Sequence, residues 1–435
     1  MSARETALNV LLTVRKDGGW SNGVLKDYIL RDGLDRRDAA LATRLVYGVL
    51  QNRNRLDFFL QQLLTGRVKD LHPGVRDILH LGLYQIYEMD KIPSSAAVNE
   101  SVALAKKYCK KQTYAAGLVN AVLRKAVQTK GSLLQPKSYV DKYSHPQKLV
   151  DLLKQNVGKE RLEAMLMANN AAPRTVIQVN TRRITAAALL EKLAGEGVEA
   201  EPHGWMENCL VLSGTGNLDK LPSFREGLYY VQDPAAKLSV LCAGIPAGAT
   251  VLDCCAAPGG KSFAAAMAGA GRIHSCDLHP HKIPLIENGA KRLGIEELTA
   301  YHRDATDFVA EWERAMDVVI VDVPCSGYGI IRKKPDIRDK DPDTMLQLPQ
   351  LQLQILENQA RYVRPGGVLL YSTCTLLRRE NEQVVETFLK TNTDYSLEKL
   401  PLPAVFPENT TGMLTLVPGE YDTDGFFIAK LRRNV

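Results

Sequence analysis

Two cysteines each follow a run that reads as a buried strand. Cys325 lies in VVIVDVPCSG (318–327) and Cys374 in GGVLLYSTCT (366–375). A glycine-rich turn, DCCAAPGGKS (253–262), follows an earlier run of the same kind. In open α/β sheets ligands gather beyond the carboxyl ends of the strands, so all three segments are expected to border one crevice. Two thiols beside the carboxylate of Asp322 and a small-residue turn suggest nucleophilic sulfur chemistry next to a bound cofactor. A single strand-end thiol is more often a buried hydrophobe. The shared crevice and the carboxylate outweigh that reading.

The turn itself, Cys255-Ala256-Ala257-Pro258-Gly259-Gly260-Lys261, leads into a helical segment. Small residues let the backbone approach a ligand, and a helix N-terminus offers free amides. The end of the turn resembles a phosphate loop, but G-x-x-x-x-G-K-[ST] would need glycine where Cys255 stands, which disfavours an ATPase. The next two strand candidates end at Asp277 and Asp304. The first is placed to accept from ribose hydroxyls and the second from an adenine amino group. Either alone reads as a turn residue. On consecutive strands beside this turn, the pair describes an adenosine-bearing cofactor.

The elements that must position these residues form the last part of the chain. From about 236 onward ATVLDCC, RIHSCD, LTAYHR, DVVIVDV and GVLLYST alternate with helical segments, and GFFIAKLRR closes the chain as a final strand. That alternation predicts an α/β fold, a mainly parallel, doubly wound Rossmann-like sheet. Cys254, Cys255 and Cys276 are read as lying within strands. Residues 1–135 read as an all-helical domain, with apolar residues three and four apart through RDAALATRLVYGVLQNRNRLDFFLQQLL and VRDILHLGLYQIYEM. Gly18-Gly19, His72-Pro73-Gly74 and Ile92-Pro93-Ser94 act as breakers, and Ser94 or Ser95 is a candidate helix cap. Residues 136–235 form a small α/β connector, with LVDLLKQNVGKERLEAMLMANN helical throughout and RTVIQVNTRR and GLYYVQ as strands. The catalytic domain is expected over 236–435.

At 435 residues the chain exceeds one ordinary core. Residues 1–140 hold 22 Lys and Arg against 12 Asp and Glu, a net +10, whereas the whole chain carries +6. Such asymmetry fits a polyanionic partner for the first part or a solvated lysine-rich surface. Eight cysteines without CxxC or zinc spacing give neither a disulfide framework nor a metal site. No signal-peptide pattern or apolar span is present, and the free thiols fit a reducing cytoplasm.

DCCAAPGGK, VDVPCSGYGIIRKKPDIR and YSTCTLLRRENEQVV together resemble the motifs of the RNA 5-methylcytosine methyltransferases that use S-adenosyl-L-methionine. LHLGLYQIYEMDKIPSSAAVNESVALAKKY and GLVNAVLRKA resemble a NusB-like RNA-binding domain. The combination covers nearly the whole chain and is similar to the bacterial small-subunit rRNA cytosine-C5 enzymes. Val323 departs from the alanine more usual there and affects packing rather than chemistry.

The resemblance implies Cys374 as the nucleophile that adds to carbon 6 of cytosine, Cys325 as the group that assists release, and Asp322 as the contact to the base edge. Lys261 would supply positive charge beside the thiol and the base. Spacing does not say which thiol attacks. Arg332, Lys333 and Lys334, which follow Cys325, are expected on phosphates flanking the target. The implied partner is small-subunit rRNA bound by a monomer, with no metal and no membrane. The rival reading is a non-catalytic RNA-binding or antitermination factor, for which two thiols at one rim have no use.

Overall fold

A computed structural model describes residues 1–17 and 20–435. Gly18 and Gly19, expected as breakers, lie outside the described residues. Those residues fold into two compact units. One comprises Met1–Lys154, Leu166–Ala171 and Ile331–Lys340, and the other Gln155–Met165, Ala172–Ile330 and Asp341–Val435.

The first unit is helical: α1 (Ala3–Asp17), α2 (Ser21–Arg31), α3 (Arg36–Gln51), α4 (Arg53–Leu63), α5 (Pro73–Glu88), α6 (Ser94–Tyr108) and α7 (Ala115–Gln128). Their apolar stripes, among them Leu45, Leu60, Leu79, Val119 and Leu123, meet in one core. The long periodic run over 37–64 is divided at Asn52, whose side-chain amide donates to Gly48 O (2.9 Å) and closes α3. Proline opens α5 at its first turn, where its missing N–H costs nothing. The capping expectation at 94–95 is corrected: Pro93 occupies the cap position of α6, with no side-chain cap, and Ser94 is already helical.

Ile331–Lys340 belongs to this unit through polar anchors. Arg338, fully enclosed, donates from Nη1 to Gln51 O (2.7 Å) and Ser144 O (3.1 Å). Ser21 Oγ donates to Asp336 Oδ2 (2.6 Å), and Arg53 pairs with Asp339 (2.8 Å).

In the second unit β1 (Thr175–Val179), β2 (Glu199–Pro202), β3 (Cys209–Ser213) and β4 (Tyr229–Val231) form an antiparallel sheet in the order β2-β3-β1-β4. The helical run over 149–170 is two helices, Gln147–Val157 and Lys159–Asn170, because Gly158 between them sits at φ 86.

The large sheet contains β5 (Thr250–Asp253), β6 (Arg272–Asp277), β7 (Leu298–His302), β8 (Met316–Asp322), β9 (Val363–Thr373), β10 (Tyr395–Leu397), β11 (Met413–Leu416) and β12 (Phe426–Arg433). Its order is β10-β12-β9-β8-β5-β6-β7, with β11 also on β12. The five strands β9-β8-β5-β6-β7 pair in parallel, and β10, β11 and β12 join antiparallel. The Rossmann-like reading therefore holds. Alternate side chains feed two cores: Val318 and Ile320 one, Val319 and Val321 the other. Both faces of β8 and β9 are covered, which is why these two strands read as unbroken apolar runs. The chain runs from β5 outward to β7, then returns to β8 on the other side of β5. The reversal opens a crevice at the carboxyl ends of β5 and β8.

Candidate active site

Cys374 directly follows β9, and Cys325 lies three residues beyond the adjacent β8. Their sulfurs are 3.2 Å apart, and both residues are partly exposed. The hydrogen bond to Cys374, burial, and the nearby Glu380 and Asp322 carboxylates push the Cys325 thiol well up. The Cys325 thiol is thus held toward its protonated form while in contact with Cys374 Sγ.

Lys261 begins beyond β5 and reaches Asp322 at the end of β8, Nζ to Oδ2 at 2.6 Å. Ser372 Oγ donates to the other Asp322 oxygen (2.7 Å). Burial opposes the charge on Lys261, but Asp322, with Asp253 and Cys374 nearby, outweighs it and raises the ammonium above the ordinary lysine value. Lys261 therefore remains cationic at neutral pH, 5.1 Å from the Phe426 ring centre. The structure brings Cys325 and Cys374 together as one contact and Lys261 and Asp322 as another.

The glycine turn runs from the end of β5 to the helix Gly260–Met267. Cys254 and Cys255 lie beyond β5, not within it, because the strand ends at Asp253; Cys276 is inside β6. Gly259 sits at φ 110, and a Cβ there would lie 2.4 Å from the Phe263 ring. Cys255, Ala257, Gly260 and Lys261 are half-buried, Ala256 and Gly259 buried, and Pro258 exposed. Asp277 ends β6 and fixes this turn: Ala257 N donates to its Oδ2 (3.3 Å), while His279 N donates to its Oδ1 (3.0 Å). Asp304 lies beyond β7, where its Oδ1 accepts from Thr306 N (2.8 Å) and Thr306 Oγ1 (2.7 Å). Asp304 is thus a turn residue as well as a rim carboxylate.

Arg332, Lys333 and Lys334 belong to the helical unit rather than to the unit that holds the thiols. Arg332 and Lys333 are half-buried, and the exposed Lys334 lies 5.4 Å from the Trp20 ring. Among the described residues no group of three or more His, Cys, Asp or Glu could hold a metal, and no helix is long and apolar enough to cross a membrane.

Sequence reading missed two buried groups. Asp253 is fully enclosed and accepts from Ser262 Oγ (2.7 Å), which in turn accepts from Ser275 Oγ (2.7 Å). Glu380, also fully enclosed, accepts from Ser326 N (2.9 Å) and Gln352 Nε2 (3.1 Å). Glu380 lies within the quoted motif YSTCTLLRRENEQVV, but nothing in the sequence singles it out from its charged neighbours.

Three family models match the chain: the NusB family over residues 1–128, the ferredoxin-like domain of the RsmF/B-like methyltransferases over 145–219, and the 16S rRNA methyltransferase RsmB/F over 245–432. The probable ribosomal RNA small subunit methyltransferase B of Bacillus subtilis (strain 168) is 35% identical over 443 residues, covering 99% of each chain. The corresponding Synechocystis protein is 33% identical over 448 residues, covering 100% of each. The Pseudomonas putida ribosomal RNA small subunit methyltransferase B is 34% identical, covering 92% of each. Among solved structures, that of PH0851 covers 100% of this chain and 99% of its own at TM-score 0.82 and 25% identity. A methyltransferase homolog from Pyrococcus horikoshii covers 68% of this chain and 97% of its own, at TM-score 0.57 and 26% identity. With likeness running from end to end across the helical, connecting and Rossmann-like parts, the chain belongs to the RsmB/F family of 16S rRNA methyltransferases.

Proposed function

We propose that the protein methylates carbon 5 of a cytosine in small-subunit rRNA, using S-adenosyl-L-methionine and a transient bond from Cys374 Sγ to carbon 6. The observation that carries this reading is the 3.2 Å pair of thiols at the ends of adjacent parallel strands, next to the Lys261–Asp322 pair. A pure RNA binder gives no reason for that arrangement.

The residues present fit an adenosyl cofactor. Gly259 gives the turn a backbone conformation that L side chains rarely adopt, the turn ends at a helix N-terminus, and Asp277 and Asp304 stand at the rims of β6 and β7. In this assignment the turn 255–261 holds the amino-acid end, Asp277 accepts from the ribose and Asp304 from the adenine amino group. When bound, the cofactor supplies an electrophilic methyl on a sulfonium.

Carbon 5 of cytosine is a weak nucleophile. As a thiolate, Cys374 adds to carbon 6; a carbon–sulfur bond forms, and the ring electrons move so that carbon 5 becomes nucleophilic. Cys325, held protonated, steadies the attacking sulfur through its S–H. The ring gains negative charge on its N3–O2 side, and the Lys261 ammonium, seated on Asp322, supplies opposing charge. Asp322 accepts from the exocyclic amine. After carbon 5 takes the methyl, its proton leaves to a base, the carbon–sulfur electrons return to Cys374, and the double bond re-forms. Cys325 assists that release. Because sulfur must reach carbon 6, the target base has to be unstacked, in a loop or an open junction.

The test is trapping of a denaturation-resistant protein–RNA band, alongside transfer of labelled methyl to rRNA. Cys374→Ala should form no band and transfer no methyl. Cys325→Ala should accumulate the band, with turnover lowered about 10²–10⁴-fold. Exchanged phenotypes would mean that Cys325 is the nucleophile. Wild-type turnover in the double variant would overturn the mechanism.

A further inference from the structure

We propose that Glu380 is the positioning residue for Cys325, setting that thiol beside Cys374 and so governing release of the covalent product. This rests on the covalent reading above and extends it to a residue that touches neither RNA nor cofactor.

Cys325 sits in a turn with no regular secondary structure, so its backbone must be held by other groups. Both of its chain neighbours are held at one point. On one side Gln352 Nε2, from the helix Leu348–Ala360, donates to Pro324 O (3.0 Å). On the other, Ser326 N donates to Glu380 Oε2 (2.9 Å). Gln352 Nε2 donates to that same Glu380 oxygen (3.1 Å), which closes the loop of contacts. Ser326 Oγ also bonds Thr375 Oγ1 (2.7 Å), the residue after Cys374, so the two cysteine turns are tied to each other beside their sulfurs. Glu380 itself is fixed through its carbonyl, which accepts from the enclosed Tyr371 hydroxyl (2.6 Å).

The cost of this carboxylate argues for a role beyond folding. Glu380 is fully buried, and among the described residues no cation pairs with it. Its Oε1 has no hydrogen-bond partner. An unpaired buried carboxylate is unfavourable, and a neutral glutamine would accept the same two hydrogen bonds. What glutamine would not supply is negative charge toward Cys325. That charge acts in the same direction as burial and the Cys374 contact, which hold the Cys325 proton in place. Glu380 thus combines two effects on one thiol: its oxygen fixes where the turn lies, and its charge keeps the sulfur protonated while Cys374 attacks.

The experiment uses the full chain and four proteins: wild type, E380Q, E380A and C325A. Iodoacetamide labelling of Cys325 is followed across pH by mass spectrometry, and RNA adduct is followed by denaturing gel. For E380Q, with the turn retained and the charge removed, Cys325 should label with a midpoint about one pH unit lower. For E380A, with the turn released, adduct should accumulate at least about fivefold over wild type, as in C325A. Should E380A not fold, the E380Q labelling profile decides alone. Wild-type labelling in E380Q with wild-type adduct levels in E380A, while C325A accumulates adduct, would overturn the proposal. If C325A traps no adduct, the covalent reading fails instead, and the labelling midpoint still decides whether Glu380 controls Cys325.

Discussion

Asp253 shows how a single side chain at this site ties chemistry to stability. Its carboxyl is fully enclosed, and burial pushes it up to about 6 from 3.8, against the opposing pull of Ser262 and Lys261. Between those values the folded chain binds a proton that the unfolded chain does not. Stability from this group therefore rises as pH falls from about 6 toward 4, and above 6 the ionised form weighs against folding. Asp253→Asn keeps an acceptor for Ser262 and removes that charge. It should stabilise the protein by about 3 kcal/mol at pH 8 and by about half that at pH 5. Thermal unfolding at the two pH values checks this, and an equal shift at both would refute it. The thiols and Asp322 were legible in the sequence because each stands at the end of an apolar run. The partner of Lys261 was not, since Asp322 lies 61 positions away and only the pairing of β5 with β8 brings them together. Asp253 gave no signal because an acid closing a strand reads as a turn residue until its enclosure is seen.

At the scale of elements, the turn between β5 and the helix Gly260–Met267 depends on Gly259. Its φ of 110 is a conformation that L side chains rarely adopt, and an added Cβ would strike the ring of the buried Phe263. Gly260 differs: a Cβ there meets only the end of the Gln232 side chain, at 3.1 Å. Gly259→Ala should therefore lower affinity for S-adenosylmethionine about 5- to 150-fold, through about 1–3 kcal/mol of strain in the turn. Gly260→Ala should change it about threefold or less. Calorimetric titration of both variants measures the contrast, and equal affinities would show that the turn does not shape the cofactor site. The central strands β8 and β9 were readable because strands covered on both faces leave long Val, Ile and Leu runs. Two of the antiparallel strands were not. β10 and β11 are short, with mixed burial, and lack either periodic signature. Helix breaks at Asn52 and Gly158 were hidden for the opposite reason, since the apolar period continues across them and one residue's backbone decides.

For the whole molecule, the informative fact is which unit the basic residues belong to. Arg332, Lys333 and Lys334 follow Cys325 in the chain, yet Ile331–Lys340 folds with the helices that carry the net +10 of residues 1–140. No local pattern announces this, because Arg338 meets its acceptor Gln51 O from 287 positions away. The helical unit thus holds both sets of cations expected to meet phosphate, and RNA binding should respond to salt as one surface. If four phosphates of a single-stranded target are held, affinity should fall about 50-fold between 50 and 200 mM monovalent salt. Replacing Arg332, Lys333 and Lys334 together by glutamine should lower the slope of log affinity against log salt by about 2. Affinity for S-adenosylmethionine should stay as in the wild type, because none of the three lies in the turn 255–261 proposed to hold it. Fluorescence anisotropy with a labelled rRNA loop at several salt concentrations reads the slope directly. A slope unchanged by the triple substitution would remove these residues from the RNA contact and leave the helices α1–α7 as the source of the electrostatic term.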